Sequence, residues 1–147
     1  MAVRMELSRI LIRELTDYQL IELREVREDD AEGDESAARA FPIVIGLPEA
    51  QAIERRLKGV RVKRPQTHDL LASVISELGG TLVSITINDL SEHTFFATID
   101  VRNAAGEMVR IDSRPSDAIA LGVAGGVPIY VAEHVLESAL QEDQEEE

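Results

Sequence analysis

The sequence predicts an α+β fold: a single domain with a largely antiparallel or mixed sheet packed with about four helices. Three observations predict it. The chain has 147 residues and is 44% hydrophobic, which suffices for one buried core and leaves no room for a second. Strand-like and helix-like segments follow one another in mixed order rather than as a regular strand–helix alternation. At least two pairs of strand-like segments are close enough in sequence to be hairpins, which makes their strands antiparallel.

Met5 to Ile12 alternates apolar and polar residues and reads as a strand, with Gln19 to Arg27 as its partner and Thr16-Asp17-Tyr18 as the turn. Residues 28 to 39 lose all hydrophobic pattern and are expected to form a mobile acidic loop, because they carry too little apolar surface to offset ordering. Phe41 to Ile45 is a short buried strand. Pro48 opens a helix, where its missing N–H costs nothing, and Ala50, Ile53 and Leu57 form that helix's apolar side. Thr67 is the expected N-cap of the next helix, in which Leu70, Leu71, Val74, Ile75 and Leu78 recur at helical spacing before Gly79-Gly80 ends it. Leu82 to Ile87 is a strand, and Thr94 to Val101 with Met108 to Asp112 forms a hairpin around Asn103-Ala104-Ala105-Gly106. A helix from Pro115 to Val123 closes at Gly125-Gly126, Pro128 to Val131 is a short strand, and Glu133 to Leu140 is the last helix. The domain is thus expected over residues 1–140, followed by a disordered acidic tail at 141–147. No internal repeat is visible.

Composition narrows the function classes. There is no cysteine, so disulfides, thiolate metal sites and cysteine nucleophiles are excluded. Trp is absent and aromatic residues are 3%, which argues against a base-stacking platform. No apolar run is long enough to span a membrane, and Met1 to Arg13 holds no stretch suited to a signal peptide, so a cytoplasmic protein with no membrane partner is expected. The net charge of -13 argues against nucleic acid at first sight. However, 11 of the 28 acids lie in the 28–35 run and the 142–147 tail, leaving 17 against 15 basic residues elsewhere. Six of those basic residues, Arg55, Arg56, Lys58, Arg61, Lys63 and Arg64, form a run that no acid interrupts. This run can track a phosphate backbone, or it can be a solvated helix face with a charged loop.

Motifs with strong chemical meaning are missing: no phosphate-cradling glycine loop, no HExxH, no GxSxG, no EF-hand loop. The three histidines, His68, His93 and His134, have no ligand spacing among them. The densest constellation is Ile111-Asp112-Ser113-Arg114-Pro115-Ser116-Asp117-Ala118-Ile119-Ala120-Leu121 at a strand-to-helix junction. Such a junction offers free backbone N–H groups to an anion, and Arg114 adds a planar fork suited to phosphate. Asp112 and Asp117 can hold a divalent metal or act as a general base. The structural alternative is that Ser113 or Ser116 caps the helix, Asp117 complements its dipole, and Arg114 clamps a neighbouring carboxylate. The second constellation is Thr67-His68-Asp69, where His68 can move a proton and Asp69 can ligate a metal or complement the helix N-terminus.

These stretches resemble the bifunctional nuclease domain family. The resemblance rests on Phe41-Pro42-Ile43-Val44-Ile45-Gly46 with Glu49-Ala50, on Arg64 to Leu71, on Thr94-Phe95-Phe96-Ala97, on Asp112 to Leu121, and on Pro128-Ile129-Tyr130-Val131. It runs from about Met5 to Leu136. It implies a compact α+β domain that self-associates as a dimer or higher oligomer and acts on both DNA and RNA. Two departures stand out: Gly122 and Ala124 occupy positions where the family has Ala and then a basic residue, and the 28–39 loop lengthens a connection that is short in many members. The expected function is a metal-assisted nuclease of low sequence specificity. Arg114, Ser116 and the helix N-terminus would hold the phosphate, Asp112, Asp117 and Asp69 a Mg²⁺ or Mn²⁺ ion, and His68 the proton. The basic run would hold the substrate backbone, and no organic cofactor is expected. The alternative is a non-catalytic oligomeric binding or regulatory module in which the same junction is a structural clamp or small-anion site.

Overall fold

The computed structural model describes residues 1–13, 15, 18–26 and 38–145, backbone only from 143. In chain order the elements are β1 (Ala2–Leu11), β2 (Gln19–Glu25), β3 (Ala40–Ile45), α1 (Leu47–Lys58), α2 (Thr67–Glu77), β4 (Thr81–Ser91), β5 (Thr94–Arg102), β6 (Met108–Ser113), α3 (Pro115–Gly122), β7 (Ile129–Ala132) and α4 (Glu133–Glu145). The expected turn at 16–17 and the acidic loop from 28 to 37 lie outside the described residues. Arg39, expected in that loop, is instead held at the base of β3. Its guanidinium donates to Glu25 at 2.8 Å and to Glu133 at 2.6 Å, and those carboxylates hold it above its ordinary pKa. Helix α4 continues past Leu140 to Glu145, so the last helix is longer than its apolar pattern predicts.

One seven-stranded sheet runs in the order β3-β2-β1-β7-β4-β5-β6. Every neighbouring pair is antiparallel except β4 with β7, so the sheet is mixed. It curls strongly: Phe41 on β3 stacks on Phe95 on β5, ring centroids 5.6 Å apart, although four strands separate β3 from β5 in the sheet order. The concave face supplies Met5, Ile21, Leu23, Phe41, Ile43, Ile85, Ile87, Ala97, Ile99, Ile129 and Val131, alternating with outward residues along each strand. Helix α3 lies in that concavity with Pro115, Ser116 and Ala118–Gly122 all buried. Ile119 and Leu121 each contribute about 1.5–3 kcal/mol by leaving water. Helices α1 and α2 pack against α3, and α4 closes the side of β3, β4 and β7.

Local signals set the boundaries. Gly59 ends α1 at φ 66, a conformation without penalty only for glycine. Gly79 does the same after α2 at φ 83, and a Cβ there would meet Ala104 at 3.0 Å. The N-cap of α2 is Gln66 rather than Thr67: its backbone N–H donates to Asp69 Oδ2 at 3.0 Å. Neither Ser113 nor Ser116 caps α3; the N-cap residue is Arg114, and the Ser113 hydroxyl donates to the Arg114 carbonyl at 2.8 Å. The β4–β5 hairpin turns on Glu92 and His93, both at positive φ (52 and 64). This two-residue turn lacks the usual Asn-Gly signal, and β4 therefore runs four residues beyond the expected Ile87.

Candidate functional site

Three helices begin near one place and join through their first-turn side chains. Each has an acid at its third position, Glu49 in α1, Asp69 in α2 and Asp117 in α3, where the helix dipole favours negative charge. Pro115 at the start of α3 and Pro48 in the first turn of α1 forgo only N–H groups that the helix would leave unpaired. Glu49 folds back over its own N-terminus, close against Gly46: a Cβ there would lie 2.5 Å from Glu49 Oε2, so the carboxylate would have to shift.

Arg114 is the centre of the cluster. Its Nε and Nη2 donate to Asp117 Oδ2 and Oδ1 at 2.8 and 3.1 Å, a bidentate fork, and its Nη1 donates to Glu49 Oε1 at 3.1 Å. The side chain nevertheless stays 63% exposed. Asp117 also accepts from His68 Nε2 at 3.0 Å, and the His68 side chain is only 13% exposed. A carboxylate can only accept here, so in the neutral form of the ring Nε2 carries the proton and Nδ1 the lone pair. Burial pushes the Asp117 carboxyl up, but the Arg114 fork and the His68 bond outweigh it and hold the group below the usual carboxylate value. The Asp117 fork and Glu49 hold Arg114 above its ordinary value against the opposing effect of burial. Glu49 was not assigned a role from the sequence; the glycine three residues before it was the available signal.

Asp69 has a different environment. It pairs with Arg55 at 3.0 Å and, more closely, with Arg56, in addition to accepting the Gln66 N–H. Burial raises its pKa, and the Gln66 N–H with the two arginines brings it below the ordinary value. Arg56 is 8% exposed and also donates from Nε to the Ala120 carbonyl at 2.6 Å and from Nη2 to the Leu121 carbonyl at 3.0 Å. It therefore ties α1 to the end of α3 and the start of α2. Arg55 is 15% exposed and turned the same way. Of the basic run, Lys58 is exposed and pairs with Glu54 along α1 at 3.1 Å, and Arg61, Lys63 and Arg64 stand exposed on the α1–α2 loop.

The carboxylates expected to share a metal ion are not brought together. Asp117 is engaged by Arg114 and His68, Asp69 by two arginines and a backbone N–H, and Asp112 stands on the convex face of β6 opposite Thr98. Among the described residues no three His, Cys, Asp or Glu side chains form a group able to hold a metal. These residues as placed do not fit a divalent-cation site. An open cleft of about 680 Å³ runs from Arg114, Pro115 and Ser116 past Gly46 and Val44 to His93 and Phe95. Ser116 is 6% exposed and lines its floor. No helix among the described residues is long and apolar enough to cross a membrane.

Two uncharacterized proteins, from two strains of Mycobacterium tuberculosis, are each 43% identical to this chain over 111 residues. The match covers 75% of this chain and 62% of each relative's length. The family model for the bifunctional nuclease domain matches residues 32–144, which include α1, α2, α3 and every residue of the Arg114 cluster. The chain therefore belongs to the bifunctional nuclease domain family.

Proposed function

We propose that the chain is a nuclease of low sequence specificity that acts on RNA and DNA phosphodiesters at the Arg114–Asp117–His68 cluster. The observation that carries this reading is the buried imidazole held by Asp117, which in turn is held by an exposed guanidinium that lines a cleft at a helix N-terminus. Arg114 and the N–H groups at the start of α3 would hold the non-bridging phosphate oxygens and neutralise charge that develops on them. His68, oriented by Asp117 through Nε2–H, would take a proton at Nδ1 from the attacking water or ribose hydroxyl as the new P–O bond forms, and the imidazolium would return it to the leaving oxygen as the other P–O bond breaks. Asp117 then stabilises the imidazolium without taking the proton. Arg61, Lys63 and Arg64 would hold the substrate backbone beyond the cluster. The proposed steps use no divalent ion, because Asp69, Asp112 and Asp117 offer no common ligand set.

A second reading has its own support: Arg114 Nε, Nη1 and Nη2 and both Asp117 oxygens are already paired within the chain. On that reading the cluster is a structural clamp in a non-catalytic binding module. Cleavage of single-stranded RNA and DNA by highly purified protein, with Mg²⁺, with Mn²⁺ and with chelator, decides between them. The nuclease reading expects a folded Asp117→Asn protein to lose about 100-fold or more in rate, and Arg114→Lys to lose activity because an ammonium cannot form the fork. A folded Asp117→Asn protein that cleaves like the wild type, or a wild type that does not cleave at all, moves the conclusion to the clamp.

A further inference from the structure

The cleft beside Arg114 is larger than a phosphate needs and carries charge at one place. Its volume of about 680 Å³ lies within the range of about 300–1,000 Å³ typical of small-molecule sites. Arg114 is the only lysine or arginine of its lining. His93 also lines it, with Nδ1 turned to Glu142 at 3.4 Å, and Glu142 brings a carboxylate to the same cleft. The rest of the wall is largely apolar: Pro42, Val44 and Ile45 from β3, Pro115, and Phe95, itself stacked on Phe41.

The polar groups converge at the start of α3. Ser116 is 6% exposed, and among the described residues its hydroxyl has no hydrogen-bond partner. That oxygen is nevertheless not one of the fully enclosed unpaired atoms, so it opens on the cleft whose floor it lines. Nothing in the fold uses this hydroxyl, whereas a ligand oxygen in the cleft can. Pro115 has no N–H, so Ser116 and Asp117 carry the first N–H groups of α3, which the helix itself leaves unpaired. Arg114 spends three of its five N–H groups on Asp117 and Glu49, and two remain on an exposed side chain. Together these donors suit the oxygens of one phosphate. A second phosphate in the cleft would meet apolar wall or the Glu142 carboxylate. What the remaining space fits is the flat, uncharged part of a nucleotide. One base needs one apolar slot, not the series of aromatic residues that a stacking platform uses.

We propose that the cleft is a subsite for one nucleoside monophosphate. Arg114, the Ser116 hydroxyl and the first N–H groups of α3 hold the phosphate, and the base lies against Val44 and Phe95. The inference rests on the proposed function in placing the phosphate at Arg114. A base paired and stacked in a duplex cannot enter a cleft of this kind, so the nucleotide is an unpaired one. It is either the free monophosphate or one nucleotide of a single strand.

Calorimetric titration of the full chain tests this, with inorganic phosphate and nucleoside 5′-monophosphates as probes. The monophosphates should bind about tenfold or more tighter than phosphate. Val44 is exposed on an edge strand, so Val44→Glu should fold normally and bring that ratio close to one. Both probes are anions, so the ratio isolates the nucleoside. Ser116→Ala should weaken both probes about tenfold and yet unfold at the wild-type temperature or above, because the hydroxyl it removes is unpaired in the fold. A structural serine would not separate the two readouts in this way. Competition against a labelled monophosphate then identifies the source. Displacement by a single-stranded oligonucleotide and not by its duplex assigns the nucleotide to a strand, and displacement by neither assigns it to the free monophosphate. A duplex that competes as well as the single strand overturns the subsite. So do monophosphates that bind no tighter than phosphate, or a Val44→Glu or Ser116→Ala protein that binds as the wild type does. The readout is binding, so the two proposals fail separately. Monophosphate binding without any cleavage sinks the nuclease reading alone, and cleavage without a preference for monophosphate over phosphate sinks the subsite alone.

Discussion

Arg56→Ala separates a structural arginine from a phosphate-binding one. Arg56 is 8% exposed, donates to the carbonyls of Ala120 and Leu121 at 2.6 and 3.0 Å, and pairs with Asp69. Alanine takes these donors from two carbonyls at the end of α3 and leaves Asp69 with Arg55 and the Gln66 N–H. Breaking a buried pair by removing one partner costs about 3–5 kcal/mol. Asp69 is 22% exposed and keeps other partners, so the lower end applies, about 3 kcal/mol. Against a typical domain stability of about 5–15 kcal/mol this is a large fraction. With a urea slope of about 1–3 kcal/mol per molar, the midpoint should fall by about 1–3 M, read by far-ultraviolet circular dichroism. Arg56→Lys keeps the charge but not the fork and should cost about half as much. If Arg56→Ala unfolds within about 0.5 kcal/mol of the wild type, as an ordinary surface substitution does, the clamp is refuted. If that variant also lost nucleic-acid affinity, Arg56 would return to the set of phosphate contacts.

Three further outcomes are expected. Replacing Arg61, Lys63 and Arg64 together by Gln should leave stability within about 0.5 kcal/mol and reduce the salt dependence of nucleic-acid binding by about 2–3 in log–log slope. An unchanged slope would remove the loop from the interface. Asp69, Asp117 and Glu22 all titrate below their ordinary values when folded. Their contribution to stability is therefore full above the unfolded carboxyl range and is lost as pH falls below about 4 through the folded values. Denaturant unfolding from neutral to acid pH should show that limb, and Asp69→Asn should flatten it; an identical limb in the variant would assign acid sensitivity elsewhere. Asp100 is 4% exposed and accepts hydroxyl bonds from Ser84, Thr86 and Thr98 at 2.7–2.8 Å. Asp100→Ala should cost about 2–4 kcal/mol by stranding those donors, and a cost below about 1 kcal/mol would show that water replaces the carboxylate.

Much of the fold was legible because its signals are local. Alternation along β1, β2 and β3, Pro48 and Pro115 at helix starts, and Gly79 after α2 each depend on a few neighbouring residues. The β4–β5 hairpin was not legible, since Glu92-His93 enters the left-handed region without glycine or asparagine. The parallel contact of β7 with β4 was not legible either, because no local pattern reports which strands become neighbours. The same limit applies to the site. The sequence placed Arg114 and Asp117 three residues apart, within reach of one another on a helix start. It did not show that His68, 49 residues away, completes the group. Nor did it show that Arg55 and Arg56 turn inward while Arg61, Lys63 and Arg64 remain outside.

This division of the basic run bears on how an acidic protein can handle a polyanion. Around Arg114 one guanidinium faces the two carboxylates of Asp117 and Glu49, so the cluster does not attract a phosphate by net charge. What it offers is direction: a planar fork, the N–H groups of α3, and an imidazole whose second nitrogen is held in place from behind. Long-range attraction has to come from the exposed loop residues, which have no acid among them in the sequence. On the proposed nuclease reading the two parts should therefore fail differently. Loss of the loop charges lowers affinity and its salt dependence while leaving cleavage of saturating substrate intact. Loss of the Arg114 fork leaves the salt dependence nearly unchanged and lowers cleavage even at saturation, because orientation rather than encounter is what it supplies.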